Sequence, residues 1–297
     1  MKLELKKNWP GYALVIPSIV AVFFLSIFPL INGILLSFKR YNLVRPWDSD
    51  FNHYIWFENY IRIFTNKNFI LSLGNTAVWT IANLFFQLIL SMLLALALNK
   101  KMAARAVFRT LSLVPWAVPA AVAAMTFTFL FNANVGIINI LFVKWGIIEK
   151  TVSWLGNVGS AMACVTFVAI WKGIPFQMIF VLAALQGIPG DIYEGAKIDG
   201  SNGWNTFWRI TLPIIKQPLA IATILNSIGI LTSFNIIWLM TEGGPLFTTE
   251  ILYTFAYREA FINHNFGTAA AASVVLFVIL AVFSGIYIKL VSSDNQA

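Results

Sequence analysis

The 297-residue chain is 59% hydrophobic and only 11% charged, with a formal net charge of +8. A soluble domain carries roughly 25% charged residues and needs a polar surface at any size, so a water-soluble fold is excluded. The basic residues lie in short segments between apolar runs, with no stripe interleaved with aromatics, which argues against a nucleic-acid partner. The single cysteine, Cys164, sits inside an apolar run, so no intrachain disulfide can form.

A bilayer-spanning helix takes about 20 apolar residues, and several runs reach that length. A basic start at residues 1–10, with Lys2, Lys6 and Lys7, precedes the first run, 11–38. That run exceeds the apolar region of about 7–15 residues in a signal peptide and has no Ala-x-Ala near its end. It reads as a retained helix. A polar segment with Asp48, Asp50 and Glu58 leads to a second span near 73–98, stopped by Lys100, Lys101 and Arg105. The third, near 111–131, contains Pro115 and Pro119 and is expected to be one bent helix. The fourth, fifth and sixth fall near 160–186, 214–240 and 268–290, leaving a tail at 291–297. The expected fold is all-α, a single membrane domain of about six transmembrane helices. Six spans put both termini on one side. With the termini inside, cytoplasmic segments hold eleven Lys and Arg against eight outside, which favours cytoplasmic termini.

What the spans lack is informative. All twelve Asp and Glu residues fall in predicted loops or at helix ends, which argues against a carrier driven by protons or sodium. The two histidines, His53 and His264, lie in predicted external loops, and there is no H-E-x-x-H. No metal site is expected. There is no G-x-x-x-x-G-K-[ST] either, so this chain is not expected to hydrolyse ATP, and any energy for active transport comes from a partner.

Between the fourth and fifth spans the chain runs from Ile188 through Gly200 to Pro213. Pro189-Gly190 breaks the fourth helix. Asp191 then has the position of an N-cap, with Glu194 three residues on to complete a capping box. A short helix over 192–199 would end at Gly200, and Ser201 or Asn202 would cap a second short helix through Ile210. Pro213 suits the first turn of the fifth span. Two short helices with a glycine hinge would lie at the cytoplasmic face, where a partner can grip them.

Here the residues resemble a family. Glu194-Gly195-Ala196, with Asp199-Gly200, nine residues and then Ile210-x-Leu212-Pro213, is similar to the EAA signature of binding-protein-dependent ABC importer permeases. Gly195 departs from it, standing where alanine is usual. Phe57-Glu58-Asn59-Tyr60, Asn75-Thr76, Phe108-Arg109 with Pro115 and Pro119, Leu182-Ala183-Ala184-Leu185 and Thr241-Glu242-Gly243-Gly244-Pro245 resemble the maltose/glycerol-3-phosphate branch. The resemblance implies a heterodimer with a second permease, two cytoplasmic ATPase subunits holding ATP and Mg, and an extracytoplasmic solute-binding protein. It implies a multi-pass subunit of a bacterial or archaeal cytoplasmic membrane, without enzymatic activity of its own, carrying a sugar or glycerol-phosphate-like solute. The 194–200 helix would dock into an ATPase cleft, and the external loop at Gly243, Gly244 and Pro245 would face the binding protein. Two rivals remain: an importer permease for another solute class, and a self-contained carrier or channel.

Candidate pathway residues come from polar positions at membrane depth. Thr76, Thr80, Asn83, Gln87 and Ser91 recur along one face of the second span. Such a face lines a pathway or serves as helix–helix glue. On the fifth span Thr223, Asn226, Ser227 and Ser233 share a broad face and Asn235 lies off it, and the resemblance favours Asn226, Ser227 and Asn235 as lining. Lys172 is the one charge near mid-depth. It could counter a charged solute, cap a broken helix or respond to local unwinding.

Overall fold

The computed structural model describes residues 14–100 and 102–293. The basic residues Lys2, Lys6, Lys7 and Lys101 and the tail beyond 293 lie outside the described residues. Among those described there is no strand, only two isolated bridges, and five helices are long and apolar enough to cross a membrane, or six if one sharply bent pair counts as a span. The described residues group into two compact units, one up to Asn66 with Phe255–Leu276, the other Lys67–Thr254 with the residues from Phe277.

The first unit opens with α1 (Leu14–Ser37). None of its membrane window is buried within this chain, so its apolar side chains are left for lipid or another subunit. A π-turn, Phe23–Ile27, interrupts it two residues before Pro29. Proline has no N–H for the carbonyl four residues back, and the widened turn absorbs that gap. Helix α2 (Glu58–Thr65) is then tied down by one motif. Glu58 pairs with Arg40 at 2.9 Å and Arg62 at 3.0 Å. Asn59, fully buried, donates to the Ser37 and Lys39 carbonyls, and Tyr60 Oη donates to Ser37 Oγ at 2.7 Å, the Ser37 hydroxyl itself donating to the Ile34 carbonyl. The loop at Lys39–Tyr41 also packs on Gly267, where a Cβ would collide with the Lys39 carbonyl.

The second unit is built on α3 (Lys67–Asn99), a 33-residue helix of about 50 Å, longer than the predicted 73–98 span. The single bent third helix expected from the sequence is two helices, α4 (Arg105–Ala117) and α5 (Ala120–Leu130), at 89°. The cause is local. Val118, before Pro119, is driven out of the helical region to ψ 127°, and Pro119 donates no N–H. After α6 (Ile137–Lys144) come α7 (Ala161–Gln186) and the short α8 (Gly190–Ile198). Helix α9 (residues 203–231) starts with one α turn, passes a π-turn at Phe207–Thr211 and continues as Leu212–Leu231. Pro213 again stands two residues past the wide turn, so it lies within a continuous helix rather than at the start of a separate span. The fifth span is then interrupted at 232–234 before α10 (Asn235–Thr241). A short α11 (Leu252–Tyr257) and α12 (Phe266–Ser293) follow as the last helices among the described residues.

Helices α3, α7 and α9 pack side by side around two apolar clusters. One holds Trp79, Val165, Val168, Ile230 and Ile237; the other holds Met92, Met178, Leu182, Leu185 and Ile215. Gly173 of α7 leaves room for Gln87 of α3, because a Cβ there would collide with the Gln87 carboxamide.

Candidate coupling loop and membrane-embedded polar residues

Helix α8 begins two residues earlier than the capping-box expectation. Pro189, extended at ψ 140°, occupies the N-cap without a side-chain bond. Asp191 therefore sits at the second helical position and Glu194 at the fifth, too far along for a capping box. The acid still favours the positive end of the helix. The C-terminus closes as expected at Gly200, whose φ of +74° only glycine adopts without strain. Gly200 donates to the Lys197 carbonyl at 3.1 Å and Ser201 to the Ala196 carbonyl at 2.9 Å, the paired bonds of a Schellman turn. Asn202 then caps α9, its side chain accepting from the Asn205 amide at 2.9 Å.

This turn fixes the loop against the membrane helices. Ala196 is buried; Tyr193 and Leu212 pack on the cluster shared by α3, α7 and α9, and Tyr193 Oη lies 3.3 Å from Thr211 Oγ1. Ile210 and Gly195 are half-buried, and Pro213 is exposed. The opposite face presents Glu194, Lys197, Asp199 and Ile198, the last 86% exposed. This face thus sets a large aliphatic side chain free beside charged neighbours. Trp204 and Trp208, both exposed and 5.6 Å apart, extend it onto α9.

The polar residues of α3 are placed between helices. Asn83 is fully buried and donates to the Trp79 carbonyl; Gln87 donates to Asn83 Oδ1 at 3.0 Å and to the Ala169 carbonyl at 3.2 Å, and accepts from Asn226 at 2.8 Å. Thr80 is buried beside them. Ser227 is buried and back-bonds to Thr223, while Gln177 of α7 reaches Thr223 Oγ1 at 3.1 Å. The structure thus joins Asn83, Gln87 and Asn226 into one network that also takes in Ala169 and so crosses three helices, with Thr80, Asn83, Gln87 and Ser227 buried. Asn226 is half-buried. Asn235, at the break in the fifth span, is exposed. Beside it Phe234 and Trp238 stack at 5.4 Å, an aromatic pair whose i,i+4 spacing stands in the sequence but does not set it apart there from the other aromatics of the apolar runs. Lys172 does not reach this network. Its Nζ donates to the Val118 and Trp116 carbonyls at the end of α4.

The loop after α10 is held tightly. Gly243 (φ +83°) and the cis Gly244–Pro245 peptide form a turn in which Gly244 donates to Thr241, and Thr249 donates to the Gly243 and Gly244 carbonyls. Asn75 of α3 donates to both the Phe247 and Glu250 carbonyls at 3.0 Å, and Thr76 Oγ1 accepts from the Leu252 amide at 2.9 Å, so the Asn75-Thr76 pair of the sequence ties α3 to this loop. Gly244 and Pro245 edge a cavity of about 500 Å³ that also meets Asn132 and Ser153.

Residues 87–293 match the profile of the family described as "Binding-protein-dependent transport system inner membrane component", covering α8 and both membrane helices it joins. The chain belongs to that family. The permease is 31% identical over 288 residues to the trehalose/maltose transport system permease protein MalF of Thermococcus litoralis, spanning 97% of this chain and 95% of the relative. It is 32% identical to a probable ABC transporter permease of Brucella suis biovar 1, across 96% and 98% of the two chains. Its fold is similar to the crystal structure of a bacterial ABC transporter involved in the import of the acidic polysaccharide alginate, with a TM-score of 0.85, 25% identity and 99% of each chain covered. The permease is therefore a multi-pass membrane subunit of an ABC importer, a transport component rather than an enzyme.

Proposed function

We propose that this permease forms half of the pathway by which a sugar or sugar-derived solute, delivered by an extracytoplasmic binding protein, crosses a bacterial or archaeal cytoplasmic membrane. Both termini lie on the cytoplasmic side in this reading. A second permease supplies the other half, and two ABC ATPase subunits bind ATP and Mg and grip α8. The observation that carries the reading is the build of residues 190–213. The inner face of α8 is locked to α7 and α9 while Glu194, Asp199 and Ile198 stand outward. A push on that face is carried into two membrane helices through the Gly200 turn and the Tyr193–Thr211 contact.

The solute class follows from the lining and from what the relatives are named for. Trehalose/maltose, sn-glycerol-3-phosphate and multiple-sugar systems all appear among them. Sugar hydroxyls call for amide and hydroxyl partners with flat aromatic faces to stack on. Asn226 and Asn235, with the Phe234–Trp238 stack, supply these, while Asn83 and Gln87 hold the helices that carry them and Thr80 and Ser227 stand buried beside them. Gly243, Gly244 and Pro245 keep the external loop in shape for the binding protein.

The test is ATPase activity of the purified complex in lipid, with and without sugar-loaded binding protein. Stimulation by the loaded binder that Glu194→Lys abolishes supports the coupled importer. Solute flux through this chain with no ATPase present would replace it with a carrier or channel.

A further inference from the structure

Beside the coupling loop, α3, α4, α7 and α8 enclose an open cavity of about 1010 Å³, lined by Asn99, Arg105, Arg109, Gln186, Gly190 and Tyr193 among others. Two guanidinium groups meet there. With its carboxamide oxygen facing them, Gln186 accepts from Arg105 Nη2 at 2.7 Å and from Arg109 Nη2 at 2.6 Å. Arg105 is fixed by its Nε bond to the Leu98 carbonyl at 2.6 Å, and Arg109 Nε is buried with no acceptor. Among the described residues neither arginine pairs with a carboxylate. Two like charges converging on one neutral oxygen repel each other and keep donors to spare, an arrangement that an anion completes. The start of α8 adds to it. Gly190 lines the cavity, and the N-cap Pro189 offers no side-chain acceptor to the first amides of this nine-residue helix. The one acid of that turn, Asp191, is exposed.

We propose that this cavity is a phosphate-binding site filled by the headgroup of an anionic phospholipid. The lipid source follows from α4. Val107, Leu111 and Val114 are all exposed and share one face of α4, on which Val107 and Val114 flank the cavity-lining Thr110, so an acyl chain lies along it while the phosphate enters the cavity. Basic pockets between membrane helices take up anionic headgroups in this way. A headgroup held by Arg105 and Arg109 touches the base of α8 and braces the coupling loop. The site is independent of which solute is carried.

The intact importer complex, reconstituted in phosphatidylcholine with or without phosphatidylglycerol, is treated with phenylglyoxal and modification of Arg105 and Arg109 is read by mass spectrometry. Phosphatidylglycerol is expected to protect both arginines and phosphatidylcholine alone neither. In a second measurement, Arg105→Gln/Arg109→Gln complex is expected to retain phosphatidylglycerol roughly thirtyfold more weakly through detergent washing. Inorganic phosphate in neutral lipid is the third arm: protection by it equal to that by phosphatidylglycerol keeps the phosphate site but overturns the lipid as its source. Modification indifferent to both anions, or protection that follows the ATPase subunits whatever the lipid, overturns the proposal. Because the protection assay uses the wild-type complex, it decides the matter even if the double variant fails to assemble.

Discussion

Lys172 Nζ donates to the Val118 carbonyl at 2.6 Å, and to the Trp116 carbonyl at 3.3 Å. Both oxygens end α4 where Pro119 supplies no N–H and the chain turns by 89°. A cation from α7 thus takes the place of the missing amides, at the negative end of a helix. Stranding a buried acceptor costs about 1–3 kcal/mol. Lys172→Met is therefore expected to lower the thermal midpoint of the purified complex and leave solute preference in proteoliposomes unchanged. The reverse result, an altered preference at an unaltered midpoint, would assign the lysine to the solute.

Gly173, the next residue, faces the Gln87 carboxamide with no room for a methyl group. Gly173→Ala must push Gln87 from its bonds to Asn83, Ala169 and Asn226. Overpacking of this kind costs about 1–3 kcal/mol. Yield and thermal midpoint of the complex in detergent should fall together, and Gln87→Ala in the Gly173→Ala background should recover part of the loss. No recovery would show that the strain lies elsewhere.

Two glycines of the coupling loop should respond in opposite senses to alanine. Gly200 has open space around it but a φ of +74°, so Gly200→Ala strains the Schellman turn by about 1–2 kcal/mol. Gly195 also has open space and lies inside α8, where alanine favours the helix by about 0.5–1 kcal/mol. Binding-protein-stimulated ATPase activity is expected to drop in the first variant and to be kept or raised in the second. Equal losses in both would mean that α8 tolerates no change of any kind and that the turn is not the sensitive element.

Burial pushes the Glu259 carboxyl above its ordinary range, against the opposing pull of its Asn263 hydrogen bond and of Arg62 and Arg258. For a carboxyl raised by folding, the protonated form is the one the fold prefers. Its stabilising contribution is full below the ordinary carboxylate pKa and is lost as pH rises through the raised value. Glu259→Gln, neutral at every pH, should remove this loss. The thermal midpoint of the variant should fall less than that of wild type as pH rises through the mildly acidic range, with hydrogen exchange around residues 258–263 as the local readout. Parallel pH profiles would refute the assignment.

The membrane class, the positions of the long apolar runs and the loop from Pro189 to Pro213 were all legible in the sequence because each depends on neighbours in the chain. Hydrophobic length sets a span, a glycine sets the Gly200 turn, and Asn202 caps the helix it precedes. Local rules still slipped by small amounts. The extended Pro189 took the N-cap position assigned to Asp191, and Val118, held out of the helix by Pro119, made two helices of an expected bend. What only the tertiary structure decided were the partners of the polar residues. Along α3 the period of Thr80, Asn83 and Gln87 was plain, but a pathway and a helix seam demand the same period. The choice rests on what stands opposite, and Ala169, Gly173 and Asn226 are distant in sequence. Lys172 likewise carried three possible roles by its position, and only the fold shows that α4 ends beside it. A side chain's type and spacing state what it can bond, and the packing of remote helices determines which bond is within reach.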